Sequence, residues 1–418
     1  MRERGYSVYT VPEAATLMFS HGASPSDFSV PDFAYNFQVG LINLQLQLEE
    51  TFEIIARATG RPTVLLCDRG LMDGKAYMPE GDWNRMIKRL GLGTDVDIRE
   101  GRYNAVFHLV SAALGAEAFY TTANNAARSE TVAEAKDMDA NTQNAWLGHP
   151  QHFCIDNKGN FEQKLQRMID AVGKLVGLPG FERSTTKFLL TSCPTVEQIR
   201  AAGLTVQVFE IEKVYLYEDS PDDAPPPPPS PSSYDSPTGG TPKNLLRAAS
   251  ISGRPHSPSF DGSASDVVSE YSFIRKRTSG GTSSYGVTTV QTHKNGQKIE
   301  IKRIITGREY AAGLRTRDLS RHIVKQERIS FIYKEQSFNI HTYIKPVRGT
   351  CILHLQGISG VSAAPAPAPG PNKRRGSIVK GKRDAEFELP DFVEVDRLLD
   401  LKGKDAEISA YNISKINK

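Results

Sequence analysis

The chain has 418 residues, enough for two domains of ordinary size and the segments that connect them. Its formal net charge of +3 is too small to indicate a partner, and its four cysteines are scattered without metal-site spacing, as expected of reduced thiols. No apolar run reaches the roughly 20 residues that a membrane helix needs, and no signal peptide is visible. We therefore expect a cytoplasmic protein whose membrane contact, on endomembranes, would be peripheral.

Strand-like and helix-like segments alternate in the first part of the chain. Apolar runs bounded by turn residues predict buried parallel strands at residues 6–11, 63–67, 104–111 and 151–155. Periodic patterns predict helices at residues 12–19, 32–59 and 160–176. This alternation predicts an α/β doubly wound parallel sheet, which we assign to a first domain over residues 1–182.

Residues 183–418 have a different pattern, and we assign them to a second domain. Period-two alternation predicts an antiparallel sheet or barrel. Its predicted strands are residues 206–216, 270–277, 288–292, 298–304, 328–333, 337–343 and 351–355, with one helix at 307–314. Segments 218–268 and 357–385 are rich in Pro, Ser and Gly. We expect both to be disordered inserts, because they cannot bury enough apolar surface to offset their ordering entropy.

Charged residues follow two of the predicted parallel strands. Glu13 comes after the first strand, and Asp68 and Arg69 come directly after the second, with Asp73 in the same loop. Ligands bind beyond the carboxyl ends of such strands, where Asp can hold Mg²⁺ or accept a proton and Arg can clamp phosphate. The structural alternative is a helix cap at Asp68 and a surface ion pair at Arg69.

Arg128 lies on the stretch after the third predicted strand, where residues 127–131 open a further predicted helix. Phosphoryl-transfer enzymes use an Arg there to neutralise charge. An isolated Arg is also common as a solvated side chain. The phosphate-binding loop Gly-x-x-x-x-Gly-Lys-Ser/Thr supplies the amides that cradle phosphates. That motif does not occur in this sequence, so we expect nucleotide binding to be weak.

The first domain carries the segments RERGYSVYTVPEAATLMFSHGA, VLLCDRGLMDGKAY, ARSETVAEA and HPQHFCIDNKGNFEQKL. They resemble the nucleoside-kinase-related P-loop ATPase domain, of the AAA class, that is shared with bifunctional ribosylnicotinamide kinases. The family's first strand and phosphate loop have no counterpart here. The resemblance implies GTP or ATP as the ligand and Mg²⁺ as the cofactor. It makes Glu13, Asp68 and Arg128 catalytic candidates, Asp68 a magnesium ligand, and Arg69, Asp73 and Arg128 nucleotide contacts.

Basic residues are concentrated in the second domain. Residues 269–350 contain 16 Lys and Arg against 6 Asp and Glu, which favours an anionic ligand, although a solvated basic face would give the same count. Arg275 and Arg277 share a face of one predicted strand, and Glu300 and Lys302 share a face of another. Rows of charge are costly in an apolar core, so we expect them to line a wet cavity or to face solvent.

The strands FEIEKVYL, EYSFIRKR, KIEIKRIITGREY, VKQERISFIY and FNIHTYIKP, with the ending LPDFVEVDRLL, follow one another in this domain. Their order resembles that of a CYTH (triphosphate tunnel) domain, which implies a β tunnel for a polyanion. The predicted ligands of a phosphoinositide or other polyphosphate are Arg275, Arg277, Lys302 and Arg328. The predicted metal ligands are Glu210, Glu212 and Glu300. His341 and His354-Leu355-Gln356 stand where the family often has acidic residues, which favours anion binding over hydrolysis.

The two resemblances together imply a regulatory protein of membrane trafficking that binds a nucleotide and a phosphoinositide, with no nucleic-acid partner. The enzymatic alternatives are an NTP-dependent kinase or NTPase and a metal-dependent triphosphatase. A scaffold with both sites decayed is the remaining alternative. Ser250 and Ser377 lie two or three residues after an Arg in the predicted inserts. Basophilic kinases read such spacing, so we expect phosphorylation at both.

Overall fold

The computed structural model describes residues 5–117, 131–178, 185–217, 267–294, 296, 298–356, 378–380, 386–400 and 403–416. Arg128, Ser250 and Ser377 lie outside these ranges, as do most residues of the two predicted inserts. Ile378–Lys380 nevertheless forms a strand inside the second predicted insert, because it pairs with Glu386–Glu388. Among the helices of the described ranges, none combines the length and hydrophobicity that crossing a membrane requires.

Short parallel strands and their connecting helices make up the first half of the described chain. The strands are β1 (Ser7–Val11), β2 (Thr63–Cys67), β3 (Val106–Leu109) and β4 (His152–Ile155). The α-helices are α1 (Ala14–Ser20), α2 (Phe33–Ala58), α3 (Glu80–Arg89), α4 (Asp95–Glu100), α5 (Val132–Ala145) and α6 (Phe161–Leu175). The predicted strands and helices are confirmed in type, whereas α3 and α4 were not predicted.

The parallel strands form two separate ladders instead of the single doubly wound sheet that the sequence predicted. β1 pairs with β2, and β3 pairs with β4. Within the described residues, no ladder joins β2 to β3. An apolar run identifies a buried strand. Which strand lies beside it in a sheet depends on long-range packing, which the run does not determine. The alternation of strand and helix therefore predicted the elements and not their assembly.

Helix α2 packs against the segment that follows β2 and forms the core of the first half. Ile42, Met72, Trp83 and Met86 are fully buried there. The buried stripe of α2 continues from Ile42 with two polar residues, Gln45 and Glu49, at the spacing of one helix face. Because buried polar groups need partners, these two residues bind and position loops near the candidate site.

A nine-stranded antiparallel sheet forms the second half. In spatial order its strands are β15 (Val395–Leu398), β5 (Thr185–Leu190), β12 (Cys351–Gln356), β11 (Gln336–Lys345), β10 (Val324–Tyr333), β6 (Val206–Tyr215), β7 (Val267–Ser279), β8 (Thr282–His293) and β9 (Lys298–Ile305). A separate hairpin pairs β13 (Ile378–Lys380) with β14 (Glu386–Glu388), and the helices are α7 (Val196–Ala201), α8 (Gly307–Gly313) and α9 (Ala410–Ile413). In the described residues β15 and β9 are free edges, so the hydrogen bonding is that of an open sheet and not of the expected closed barrel.

The two faces of this sheet differ because side chains alternate along each strand. One face carries an apolar core that includes Phe188, Phe331, Phe338, Ile340 and Leu353. The cross-strand pairs Lys213–Arg275 and Arg328–His341 lie on the opposite face, which we call the cationic face. The predicted anion ligands therefore point away from the apolar core.

Candidate functional site

The carboxyl ends of β1 and β2 bring predicted nucleotide-site residues together. Arg69 Nε lies 3.4 Å from Glu13 Oε1, and Arg69 Nη1 lies 4.0 Å from Asp73 Oδ2. Glu13 Oε2 accepts a 2.5 Å hydrogen bond from Thr16 Oγ1. The pKa of Asp68 is raised by partial burial and by the charge of Glu13. The parallel pairing of the two strands thus forms one cluster, which we call the strand-end site, from residues far apart in sequence.

Arg69 adopts a left-handed backbone conformation, with φ of 74°. Such a conformation costs a non-glycine residue about 1–3 kcal/mol and persists only where the surroundings impose it. Gln45 is 4% exposed, and its Nε2 donates a 3.0 Å hydrogen bond to the Arg69 carbonyl. The buried amide of α2 therefore holds the strained residue that presents its guanidinium to Glu13.

Asp73 has two structural partners. Its Oδ2 accepts a 3.1 Å hydrogen bond from the Gly70 N–H, where the 3-10 helix Leu71–Tyr77 begins, and its Oδ1 accepts a 2.5 Å hydrogen bond from Trp146 Nε1. A Cβ at Gly70 would lie 2.5 Å from the Trp146 ring. Asp73 therefore fixes the loop that carries Arg69, and its contact with nucleotide stays a prediction.

Basic side chains lie beside one another across the cationic face. They are Lys187, Lys213, Arg275, Arg277, Lys302 and Arg328. Burial and the charges of Arg328 and Arg275 lower the pKa of Lys213 to about 7. Burial and repulsion from Arg277 and Arg275 lower the pKa of Arg328 well below its usual range. The structure thus brings the predicted anion ligands onto one face and adds Lys213 and Lys187, which sequence reasoning had not included.

Two of these cations have no carboxylate partner. In the part of the chain that the structure describes, neither Lys213 nor Arg328 forms an ion pair with Asp or Glu. Arg328 Nε is buried without a hydrogen-bond partner. Lys302, by comparison, lies 3.4 Å from Glu300. Both side chains are partly buried. Charges withdrawn from water without counterions are costly, and a bound anion would reduce that cost.

Stacked imidazoles extend the cationic face beyond Arg328. The ring centroids of His341 and His354 are 4.0 Å apart, with 6° between the ring planes. His341 is 3% exposed, and burial together with the charge of Arg328 lowers its pKa well below the usual range. His341 is therefore neutral at pH 7 and contributes hydrogen-bonding capacity in place of charge.

Glu100, at the end of α4, reaches the cationic face from the first half of the chain. Its side chain is 1% exposed and accepts hydrogen bonds from Arg277 Nη1 at 2.9 Å, Ser284 Oγ at 2.7 Å and Arg99 Nη2 at 2.8 Å. Although burial opposes ionisation, Arg277 and Arg99 hold the pKa of Glu100 below its usual value. The Arg277 guanidinium also lies 3.5 Å from the centroid of the Phe209 ring. Sequence reasoning missed Glu100 because a short helix that was not predicted carries it.

A small, partly open cleft lies between the two halves. Arg275 and Lys302 line it from the sheet, while Glu100, Asn104 and Gln151 line it from the first half. Two of the predicted anion ligands are therefore accessible to a small anion through this cleft.

The predicted metal ligands Glu210, Glu212 and Glu300 do not form one site. Glu210 and Glu212 lie on the face of β6 opposite to Lys213, whereas Glu300 lies on the cationic face. Glu212 lies 3.2 Å from Lys325 and accepts a 3.0 Å hydrogen bond from the Tyr310 hydroxyl. Among the described residues, no group of three His, Cys, Asp or Glu has the geometry to hold a metal ion. The alternation of side chains correctly predicted that Glu210 and Glu212 share a face of β6. That face is opposite to the one that carries Glu300, so the three carboxylates do not meet.

A family model described as an AAA domain matches residues 1–164. The match agrees with the parallel strands of the first half and indicates a P-loop-like, nucleotide-binding type of domain. No curated protein sequence matches the chain.

Three solved structures show weak similarity. The PH1012 protein from Pyrococcus horikoshii OT3 is 13% identical, with 44% of this chain and 80% of that chain covered and a TM-score of 0.22. The PH1819 protein of the same organism is 11% identical, with 43% and 79% covered and a TM-score of 0.24. A conserved hypothetical protein from Pyrococcus furiosus is 10% identical, with 44% and 82% covered and a TM-score of 0.22. TM-scores this low support no inference about fold or function.

Proposed function

We propose that the cationic face binds a ligand with several clustered phosphates, such as a phosphoinositide headgroup or an inorganic polyphosphate. The supporting observation is that Lys213 and Arg328 lie beside other cations and, within the described residues, form no ion pair with Asp or Glu. Charge-assisted hydrogen bonds to phosphate are short and strong, so a polyanion would offset the mutual repulsion. Arg275, Lys302 and Arg328 are the expected phosphate contacts, with Arg275 and Lys302 at the entrance, whereas the predicted ligand Arg277 is held by Glu100 and Phe209 and would act through its charge.

The first half is proposed to bind GTP or ATP at the strand-end site. The AAA family match and the Glu13–Arg69 contact support this role. Arg69 would contact phosphate, and Asp68 and Glu13 would hold Mg²⁺. Partial burial, together with repulsion from the Glu13 carboxylate, raises the pKa of Asp68, and two such neighbouring carboxylates fit a site for a hard divalent cation. Mg²⁺ would neutralise phosphate charge there, whereas Arg69 orients the phosphate. Arg128 lies outside the described residues, and its catalytic role remains a prediction.

The biological role proposed is regulation of membrane trafficking. An ATPase-like domain followed by a CYTH-like domain resembles TRPL translocation defect protein 14, and that resemblance favours a regulatory membrane role over catalysis. Kinase or NTPase activity in the first half is the enzymatic alternative. Triphosphate hydrolysis in the second half is less favoured, because Glu210 and Glu212 lie on the opposite face of the sheet from Arg275.

The test measures binding of the full chain to two phosphate sources. Vesicles containing a phosphatidylinositol bisphosphate report on a lipid headgroup, and calorimetry with tripolyphosphate reports on the free anion. Binding to both indicates general polyphosphate recognition, and binding to vesicles alone indicates a lipid ligand. Phosphate release from tripolyphosphate or ATP with Mg²⁺ would favour the enzymatic alternatives.

A double variant on the cationic face and a control on the opposite face locate the site. The double variant Arg275→Gln, Arg328→Gln should weaken binding about tenfold or more, since each basic residue near an anionic surface contributes about 1 kcal/mol. It should not unfold the protein, because it relieves repulsion between partly buried cations. Lys276→Gln is the control: Lys276 neighbours Arg275 on β7 but faces the other side of the sheet. Equal effects of the double variant and the control, or no binding to either phosphate source, would contradict the proposal.

A further inference from the structure

Two cysteines lie together at the ends of neighbouring strands, on the face of the sheet opposite to the cationic face. β12 begins at Cys351 and pairs with β5, and Cys193 lies just beyond the end of β5. Thr342 Oγ1 lies 3.5 Å from Cys193 Sγ and 3.6 Å from Cys351 Sγ. One hydroxyl thus contacts both sulfurs and brings together two cysteines that are 158 positions apart in the sequence.

The surroundings of the two thiols are unequal. Cys193 is exposed, whereas Cys351 is 3% exposed. Hydrogen bonds from Cys351 and Thr342 lower the pKa of Cys193 to about 6, although partial burial opposes this shift. The hydrogen bond to Cys193 and burial raise the pKa of Cys351. The exposed sulfur is therefore the more acidic of the two, while the buried sulfur keeps its proton near pH 7.

The other two cysteines of the sequence lack this chemistry. Burial raises the pKa of Cys67 to about 12 and that of Cys154 to about 12. The thiolate is the reactive form of cysteine, so both should be inert near neutral pH. Cys67 and Cys154 are therefore natural internal controls for the reactivity of Cys193.

We propose that Cys193 and Cys351 are a redox modification site, at which a peroxide such as hydrogen peroxide drives formation of a reversible disulfide. The Cys193 thiolate attacks one peroxide oxygen, the O–O bond breaks, and hydroxide leaves to take up a proton as water. The resulting sulfenic acid at Cys193 is then attacked by the Cys351 sulfur. The S–S bond forms, the S–O bond breaks, and the hydroxide leaves as water with the Cys351 proton. Two thiols and one peroxide thus give one disulfide and two waters.

The disulfide would tie the segment after β5 to the first residue of β12. The opposite face of the same two strands carries Lys187 and His354, which are directly paired. Oxidation would therefore fix covalently the strand pair at one end of the cationic face. A dithiol reductant would restore the two thiols.

The first experiment treats the folded full-length chain with a small excess of hydrogen peroxide and maps its peptides by mass spectrometry. A Cys193–Cys351 linkage that disappears with dithiothreitol is the expected result. Alkylation by iodoacetamide at pH 7 should label Cys193 about 100-fold faster than Cys67 or Cys154, given their thiolate fractions and the lower nucleophilicity of a low-pKa thiolate. Four free thiols after peroxide treatment, or a linkage involving Cys67 or Cys154, would overturn the proposal.

Three variants separate the roles of the partners. Cys351→Ser should leave Cys193 as a dimedone-reactive sulfenic acid, and Cys193→Ser should abolish peroxide consumption by Cys351. Thr342→Val should shift the pH profile of Cys193 alkylation to higher pH, a change that a purely structural role would not produce. An unchanged profile would remove Thr342 from the proposal, whereas the mapping of the wild-type chain tests the disulfide without any variant.

Discussion

Replacing Glu100 with glutamine removes the carboxylate that neutralises Arg277. Both side chains are almost fully buried, at 1% and 2% exposure. The carboxamide keeps the shape of Glu100 but replaces one acceptor with a donor, which would face the N–H groups of Arg99 and Arg277 or the Ser284 hydroxyl. Breaking a buried ion pair from one side typically costs about 3–5 kcal/mol, because the remaining charge is left uncompensated. We expect the free energy of unfolding to fall by that amount.

Urea titration followed by two probes measures this loss. The sequence has two tryptophans, Trp83 and Trp146, and both lie in the core of the first half, so fluorescence reports on that half. Circular dichroism near 215 nm reports mainly on the sheet. Glu53→Gln is the matched control, because Glu53 forms an exposed ion pair with Arg57, and such pairs contribute roughly 0–1 kcal/mol.

A second substitution decides whether the uncompensated charge is the cause. Adding Arg277→Met to Glu100→Gln removes that charge and should recover part of the stability lost in the single variant. A loss of stability in Glu100→Gln no larger than that in Glu53→Gln would contradict this role of the buried carboxylate. Simple additivity of Glu100→Gln and Arg277→Met would contradict it too, since contacting partners in one network should be coupled.

Two further predictions concern the sites themselves. Lys213 has a pKa of about 7 in the free protein against 10.5 in the unfolded chain. The unfolded chain therefore binds more protons between these values, and Lys213 destabilises the fold fully below pH 7 and progressively less above it. Thermal melting should show that Lys213→Met stabilises the protein more near pH 6 than near pH 10. In calorimetry, tripolyphosphate binding near pH 7 should be accompanied by proton uptake in the wild type and not in Lys213→Met. Equal stabilisation at both pH values would exclude a pKa of about 7 for Lys213. Arg69→Gly should leave the melting temperature unchanged or raise it, because glycine tolerates positive φ. The affinity for a fluorescent ATP analogue should fall about tenfold, because a charge-assisted hydrogen bond is lost. A lower melting temperature with an unchanged affinity would contradict both expectations.

Local patterns predicted those features that depend on a few consecutive residues. Alternation placed Arg275 beside Arg277 and Glu210 beside Glu212, and the structure has both pairs as expected. Alternation alone does not predict which face of the assembled sheet packs against the apolar core, because that depends on the pairing of β6 with β10 and β7. The predicted metal ligands Glu210 and Glu212 therefore lie on a different face from Glu300.

Sequence patterns did not predict the contacts between segments that are far apart in the chain. Glu100 lies 177 positions from Arg277, and its helix α4 is too short for a periodic signal. Gln45 and Glu49 were detectable in principle, since polar residues on the buried stripe of α2 require partners. Glu49 has them in Arg102 and Tyr103, at 2.7 and 2.8 Å.

The strand-end site and the cationic face are joined by a short series of direct contacts. The loop that carries Arg69 continues into the 3-10 helix Leu71–Tyr77, whose Lys75 Nζ lies 2.5 Å from Asp95 Oδ2. Asp95 begins α4 and also accepts a 2.7 Å hydrogen bond from Trp83 Nε1. α4 ends at Glu100, whose carboxylate binds Arg277 on the cationic face. A shift of the Arg69 loop would therefore displace a buried counterion of the anion site.

Such an arrangement predicts that the two sites are coupled, and coupling between binding sites is reciprocal. The affinity for tripolyphosphate measured with and without saturating ATP should differ, by about 5-fold or more if the coupling is of the usual 1–3 kcal/mol. Asp95→Asn weakens the contact with Lys75 without touching either ligand, so it should reduce the difference while leaving each separate affinity nearly unchanged. Glu53→Gln, on the exposed side of α2, should leave the difference intact. Equal tripolyphosphate affinities with and without bound ATP would show that the two halves bind their ligands independently. An ion network that moves when one ligand binds must change the free energy of binding the other ligand.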